Sequence, residues 1–328
     1  MRYQSLLNEQ ETEHAIKLIK DTFQINLATA LHLRRVTAPL FVKSGLGLND
    51  NLSGSEQPVS FVIKATNEKA EIVHSLAKWK RYKLGEMHEK AGYGIYTDMN
   101  AIRTEEDLDE LHSLYVDQWD WEKVISREQR NKTYLHETVR LIYQALKNTE
   151  YIVCEHYPQI KPFLTDEVHF MTSEELLQRY PNLDAKAREN AICKELGAVF
   201  VEEIGCVLSN GQMHDSRAAD YDDWGLNGDI LIWYPPLERA VELSSMGIRV
   251  NADSLRKQLR IAGCEDWEKR LYHSLVLKDE LPLTIGGGIG QSRLCMILLH
   301  KVHVGEIQVS IWPEKMVSEC KKQNIPIL

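Results

Sequence analysis

Two adjacent prolines set between β-forming runs constrain this chain most. Asp229–Tyr234 and Leu237–Glu242 flank Pro235-Pro236, and a hairpin closed at that turn places Asp229 directly opposite Glu242, side chains on one face. Carboxylates across a strand pair repel each other, and in a partly buried sheet they persist with a cation or a bound proton between them. Oxygen ligands favour Mg²⁺ or Ca²⁺, and a pair that leaves room for phosphate oxygens suits Mg²⁺. On the residues alone, an exposed edge hairpin with two solvated acids is an equal alternative. A one-residue slip of register would send the acids to opposite faces.

The rest of the chain predicts an α+β fold. Ala15, Leu18, Ile19, Phe23, Leu27, Ala30 and Leu31 recur with the helical period, so Thr12–Leu33 reads as one long helix ending before Pro39. Strands are expected at Leu40–Val42, Ser60–Ala65, Glu71–His74, Tyr93–Thr97 and Leu114–Trp121, one helix thus feeding an antiparallel sheet. Helices are expected over Arg127–Tyr157, Glu174–Arg179 with Thr172 or Ser173 as cap, and Asp184–Leu196. Strands resume at Ala198–Ile204, Asp229–Tyr234 and Ala240–Met246, and helices at Asp253–Ala262, Trp267–Lys278 and after the glycine run. No repeat and no Pro-, Gly- or Ser-rich linker divides the 328 residues, so one domain over 1–328 is expected.

Composition excludes several classes of function. No apolar run approaches the roughly 20 residues of a membrane helix. The net charge of −9 argues against long nucleic acid as the main ligand. The six cysteines form no CxxC pair and read as reduced thiols, which with the lack of a signal core predicts a cytoplasmic protein. Arg2 follows the initiator Met, which argues against an N-terminal cysteine nucleophile of the glutamine-dependent amidotransferase kind.

Two further segments are candidates for chemistry, although the first, taken by itself, reads rather as an ordinary amphipathic strand with its polar face in water. As a strand, Leu114–Glu122 sends Gln118, Asp120 and Glu122 to one face and Trp119 and Trp121 to the other. Ile285–Arg293 reads Ile-Gly-Gly-Gly-Ile-Gly-Gln-Ser-Arg, a glycine strand turning into an apolar helix, where backbone can approach a ligand closely. It fails the dinucleotide-binding spacing because Gln291 stands where a glycine is required, and there is no phosphate-binding P-loop sequence. His74 and His214 read as structural histidines, since no serine or cysteine nucleophile motif accompanies them.

Together, Asp50–Gly54, Val73–Arg81, Leu111–Glu122, Tyr221–Trp224, Gly225–Ile230, Glu242–Val250 and Thr284–Arg293 closely resemble the ammonia-dependent asparagine synthetases, single-domain relatives of the class II aminoacyl-tRNA synthetases. The resemblance implies an antiparallel six-to-eight-stranded sheet flanked by helices. It also implies a homodimer formed through the first helix and the Pro39 region. By resemblance, Arg103 holds the α-phosphate of ATP, Arg293 stacks on adenine, and Asp229 and Glu242 hold Mg²⁺ with ATP. Ser113, Val116, Ser245 and Arg249 fall where the family contacts nucleotide. Asp50, Lys80, Gln118, Asp120, Arg217 and Asp222 fall where it holds L-aspartate, and Arg103, Asp50, Asp222 and Lys80 are the expected catalytic residues.

The implied reaction activates the aspartate side chain as an adenylate, with release of pyrophosphate. Ammonia then displaces AMP, and Asp50 or Asp222 is the expected acceptor of the ammonium proton. The alternative is an aspartyl- or asparaginyl-tRNA synthetase-like enzyme, which ordinarily carries an anticodon-binding domain; the early start of the first helix and the acidic balance argue against it. Retained Arg103, Asp229, Glu242 and Arg293 argue against an inactive regulatory paralogue. One departure from the family stands out: several residues usually separate the Tyr-Asp-Asp-Trp and Gly-Leu-Asn-Gly-Asp segments, whereas here Trp224 runs directly into Gly225.

Overall fold

A computed structural model describes residues 3–50 and 56–328. The readings made above on Arg2 and on residues 51–54 lie outside the described residues. The chain opens with α1 (Glu9–Leu31), three residues earlier than the apolar period suggests, because Asn8 caps it. The Asn8 side chain accepts from the Glu11 N–H and the Glu11 carboxylate accepts from the Asn8 N–H, each at 2.9 Å. The helix ends at His32, which turns in the left-handed region at φ 58°.

After β1 (Leu33–Arg35), the strands β2 (Phe41–Lys43), β3 (Ser60–Ile63) and β4 (Glu68–Ile72) form a separate three-stranded sheet, not the start of the main one. The order continues α2 (Ala77–Glu86), β5 (Gly94–Ile102), β6 (Tyr115–Val124), α3 (Lys132–His156), β7 (His169–Thr172), α4 (Ser173–Arg179), α5 (Ala185–Leu196), β8 (Ala198–Glu202), β9 (Asp222–Tyr234) and β10 (Arg239–Arg249). It closes with α6 (Ala252–Ala262), α7 (Leu271–Leu277), β11 (Thr284–Gly290), α8 (Gln291–Leu298) and α9 (Glu314–Gln323). Trp267–Lys278 is not one helix: a tight 3₁₀ turn over Glu265–Lys269 and α7 are separated at Arg270, whose backbone is extended and whose guanidinium lies 4.4 Å from the Trp267 ring centre.

The main sheet has eight strands in the order β1-β5-β6-β11-β10-β9-β8-β7, antiparallel except for the pairs β1–β5 and β7–β8 at its two edges. One face carries the principal core. Trp119 and Trp121 point there, as their alternation with Gln118 and Asp120 predicts, and pack with α1, α3 and α8; the Phe23 and Trp119 rings lie 4.7 Å apart. On the opposite face α4 and α5 pack their apolar side on β8 and β9, while α2 lies across β6 and β11. The strand surface between these covers is left for a cleft.

The central hairpin differs from its expected register. The prolines open a 3₁₀ turn, and Glu238 reverses the chain at φ 50°, so Tyr234 pairs with Arg239 instead of Leu237. A bulge between Glu242 and Ser244 shifts the ladder once more. Ser245 therefore stands opposite Asp229, and Leu231 opposite Glu242. Since Asp229 and Leu231 are two apart on one strand, the two acids keep a common face as diagonal neighbours rather than direct partners.

Candidate active site

The floor of the cleft is glycine. On β11, Gly286, Gly288 and Gly290 stand between Glu122, Asp120 and Gln118 on β6, with Gly286 and Gly288 also facing Gly247 and Ser245 on β10. With no side chains rising from the middle strand, those of its neighbours lie across it. A Cβ at Gly288 would come within 2.5 Å of Gln118 Oε1, and one at Gly286 would overlap Glu122 Oε2 and sit 2.5 Å from Arg249 Nη2. The glycine run thus holds open a polar layer built from β6 and β10.

That layer is a buried charge network. Arg249 donates through Nε to Glu122 Oε1 at 3.0 Å and through Nη2 to Oε2 at 2.7 Å, and through Nη1 to Asp222. Burial would raise the Glu122 carboxyl, yet Arg249 and Lys80 hold it below its ordinary value. Asp222 is raised, because burial outweighs the attraction of Arg249 and Arg217. Lys80 reaches up from α2 to pair with Asp120 and donates to the carbonyls of Trp121 (2.9 Å) and Gly287 (3.2 Å).

The cleft above this floor brings most of the expected residues together. Arg103, Ser113, Val116, Gln118, Asp120, Asp50, Arg217, Asp222, Glu242, Ser245, Arg249 and Arg293 line it. Lys80 and Asp229 stand one layer back. Lys80 is wholly buried beneath Asp120, and Asp229 accepts from Arg217 Nη2 at 2.6 Å. Arg217 also donates to Ser245 and lies between Asp229 and Asp222, which places it at the acidic hairpin. Arg249 reaches the wall of the cleft with its donors committed to Glu122 and Asp222.

At one end, Arg293 donates from Nη1 to the Glu242 carbonyl at 2.9 Å, and Ser113 Oγ to Ser310 Oγ at 2.8 Å. At the other, Ser75 Oγ donates to Asp50 Oδ2 at 2.8 Å. Arg103 Nε and Arg217 Nε are buried with no hydrogen-bond partner among the described residues, so each keeps a donor for an anionic ligand. Burial raises Asp229 to about 6, with the Glu242 charge acting in the same sense and Arg217 opposing. Burial would also raise Glu242, but Arg293, Lys186 and Arg217 keep it below its ordinary value. Asp229 and Glu242 therefore feel each other across the face they share, as two carboxylates do at a cation site.

Comparison with known proteins gives this geometry a context. A family model described as aspartate-ammonia ligase matches residues 10–324. The aspartate–ammonia ligase of Bacteroides thetaiotaomicron is 56% identical over 336 residues, covering 99% of this chain and 97% of its own. That of Clostridium perfringens strain SM101 is 56% identical over 327 residues with the same coverage. The chain belongs to the aspartate–ammonia ligase family. Among solved structures, the asparaginyl-tRNA synthetase of Entamoeba histolytica is similar with a TM-score of 0.65 at 17% identity, covering 92% of this chain and 67% of that one. The Pyrococcus horikoshii asparaginyl-tRNA synthetase complexed with asparaginyl-adenylate gives 0.65 at 14%, covering 92% and 70%. At these identities the likeness shows the fold, which is that of the class II synthetases.

Within this ligase fold, the short Trp224-Gly225 connection is unbroken strand. The pairing of β9 with β10 jumps from Asn227–Gly247 to Asp222–Arg249, so the intervening residues bulge instead of forming a loop. Sequence reasoning missed Tyr221, whose ring lines the cleft and whose hydroxyl pKa is raised by burial and by the charges of Asp50 and Asp222. Its place between Asp220 and Asp222 in the chain was the available signal. It also missed His112, which lines the cleft with Nδ1 2.7 Å from Asp109 Oδ1; nothing in its spacing singles it out.

Proposed function

We propose that this chain makes L-asparagine from L-aspartate and ammonia, cleaving ATP to AMP and pyrophosphate through a β-aspartyl adenylate. The reading is carried by one observation: a single cleft is lined by Arg103, Arg293 and Glu242 of the acidic hairpin, with Asp229 one layer behind, in a chain of the aspartate–ammonia ligase family. It extends to a cytoplasmic homodimer built through α1 and the Pro39 region. Consistent with this, no helix is long and apolar enough to cross a membrane among the described residues, and Ile25 on α1 and Tyr93, beside His32, are exposed.

Asp229 and Glu242 fit a divalent cation. They share a face, both are half-buried, and the Glu242 charge helps to raise the Asp229 carboxyl. No cluster of three or more ligating side chains exists among the described residues, so these two carboxylates would hold the cation and leave its other positions to oxygens of the nucleotide and water, as suits Mg²⁺. When bound, the ion neutralises triphosphate charge and so favours attack at phosphorus.

The protein's own groups do the rest. The unpartnered donor of Arg103 meets the α-phosphate, where charge builds as the aspartate carboxylate attacks. Arg293 presents a planar guanidinium to adenine, and Ser113, Val116 and Ser245 flank the nucleotide. Gln118 and Asp120 hold the amino acid, Asp120 being fixed in turn by Lys80. Asp50 and Asp222 stand at the acyl end, where their carboxylates attract the incoming ammonium. Binding precedes chemistry here: the site overcomes the repulsion between carboxylate and triphosphate by holding both in one orientation.

The test is a stoichiometric assay with aspartate, ATP, Mg²⁺ and ammonium. Asparagine, AMP and pyrophosphate should form one to one. ADP as product rejects the adenylate, and charging of tRNA without ammonium supports the synthetase alternative. Arg103→Ala should abolish aspartate-dependent ATP–pyrophosphate exchange.

A further inference from the structure

Arg103 and Glu106 line two spaces at once: the cleft described above and a smaller recess beyond it. That recess is lined by the acids Glu56, Glu105, Glu106 and Asp107 and by Arg103, whose Nη1 lies 3.8 Å from Glu106 Oε2. Such a wall repels a polyphosphate and concentrates a small cation. His74, only 1% exposed, also lines the recess. The backbone of His74 is fixed, its N–H donating to Asn49 Oδ1 at 2.9 Å and its carbonyl accepting from Arg103 Nη2 at 3.4 Å. Its ring bonds to the Asp50 backbone, while ring Nδ1 is buried with no hydrogen-bond partner among the described residues.

We propose that this acidic recess admits the ammonium ion and that His74 is the base that takes its first proton. The inference rests on the ligase reading above and names the ammonia side of the same site. The charged groups facing the ring are Asp50, Arg103 and Glu56. Burial lowers the His74 pKa, with Arg103 acting in the same direction and the two acids opposing, so the ring is neutral and able to accept at neutral pH.

Ammonium gives one proton to Nδ1. The nitrogen lone pair then forms the C–N bond at the acyl carbon. The tetrahedral nitrogen loses a second proton to the Asp50 carboxylate as the C–O bond to AMP breaks, its electron pair leaving on the phosphate oxygen. Ammonium and the acyl adenylate thus give the amide, AMP and two protons.

Hydroxylamine provides the discriminating probe, because it is a neutral nucleophile at neutral pH and needs no first deprotonation. In His74→Asn, ammonium-dependent kcat/KM should fall about 100-fold, while hydroxamate formation and ATP–pyrophosphate exchange stay within about threefold of the unaltered enzyme. Equal loss with both nucleophiles, or no loss with either, overturns the role of His74. Glu105 and Asp107 are exposed, so Glu105→Gln combined with Asp107→Asn leaves the fold intact. At low ionic strength it should raise the KM for ammonium several-fold without changing that for hydroxylamine; an unchanged ammonium KM overturns the entry site. Absence of exchange in the unaltered protein instead rejects the underlying ligase reading, and the inference with it.

Discussion

Gly286→Ala tests whether the glycine strand exists to make room for the charge layer. In a strand, alanine costs nothing by itself and restricts the unfolded chain, so local propensity predicts no loss. The structure predicts a large one. The new Cβ would overlap Glu122 Oε2 and lie 2.5 Å from Arg249 Nη2. Neither partner can yield, since Glu122 is fully buried and Arg249 is 2% exposed. Admitting the methyl group means pulling the carboxylate from the guanidinium that donates to it at 3.0 and 2.7 Å. Separating a buried pair costs about 3–5 kcal/mol, because each charge is left without compensation. For a chain of this size that lowers Tm by roughly 6–15 °C. Thermal unfolding followed by circular dichroism, with urea unfolding as a check on two-state behaviour, reads the effect directly. A variant melting within about 2 °C of the unaltered protein would refute the argument, since a loss of about 1 kcal/mol or less means the pair is intact.

Gly288→Ala should behave differently, because its Cβ meets the movable end of Gln118 at 2.5 Å: thermal stability should hold while the KM for aspartate rises at least tenfold in steady-state kinetics. Asp220 is paired with Lys78 Nζ at 2.7 Å and His273 Nε2 at 2.9 Å, and although burial would raise its pKa, these partners hold it well below the ordinary value. Its stabilisation is therefore complete above the ordinary carboxylate range near pH 4 and is lost as pH falls through its depressed native value. Urea unfolding across that window should show a shallower acid decline in Asp220→Asn. Glu242→Gln should raise the Mg²⁺ concentration needed for half-maximal pyrophosphate exchange by at least tenfold, and equal Mg²⁺ dependence would remove Glu242 from the metal site.

Much of this molecule was legible in local patterns. The stripe from Ala15 to Leu31 gave α1, and the alternation of Gln118, Asp120 and Glu122 with Trp119 and Trp121 separated the cleft face from the core face, because side-chain direction follows backbone period. The segments Leu111–Glu122, Gly225–Ile230, Glu242–Val250 and Thr284–Arg293, among others, carried the family resemblance and with it most residues of the cleft. The parallel edge pairs β1–β5 and β7–β8 left no such trace: three- and four-residue strands carry too short a pattern, and their partners lie about 60 and 30 residues away.

Hydrophobic period and residue type by themselves determined which faces are buried and which groups the cleft contains. Tertiary structure alone decided how those groups are spent. The turn at Glu238 and the bulge after Glu242 replaced a direct carboxylate pair with a diagonal one, since register depends on how a loop closes in three dimensions. Packing set Lys80 beneath Asp120 and tied Arg249 to Glu122, because buried charges must find partners wherever the fold brings them. The same packing left Arg103 Nε and His74 Nδ1 without partners among the described residues, and an unsatisfied atom is visible only after every neighbour has been placed.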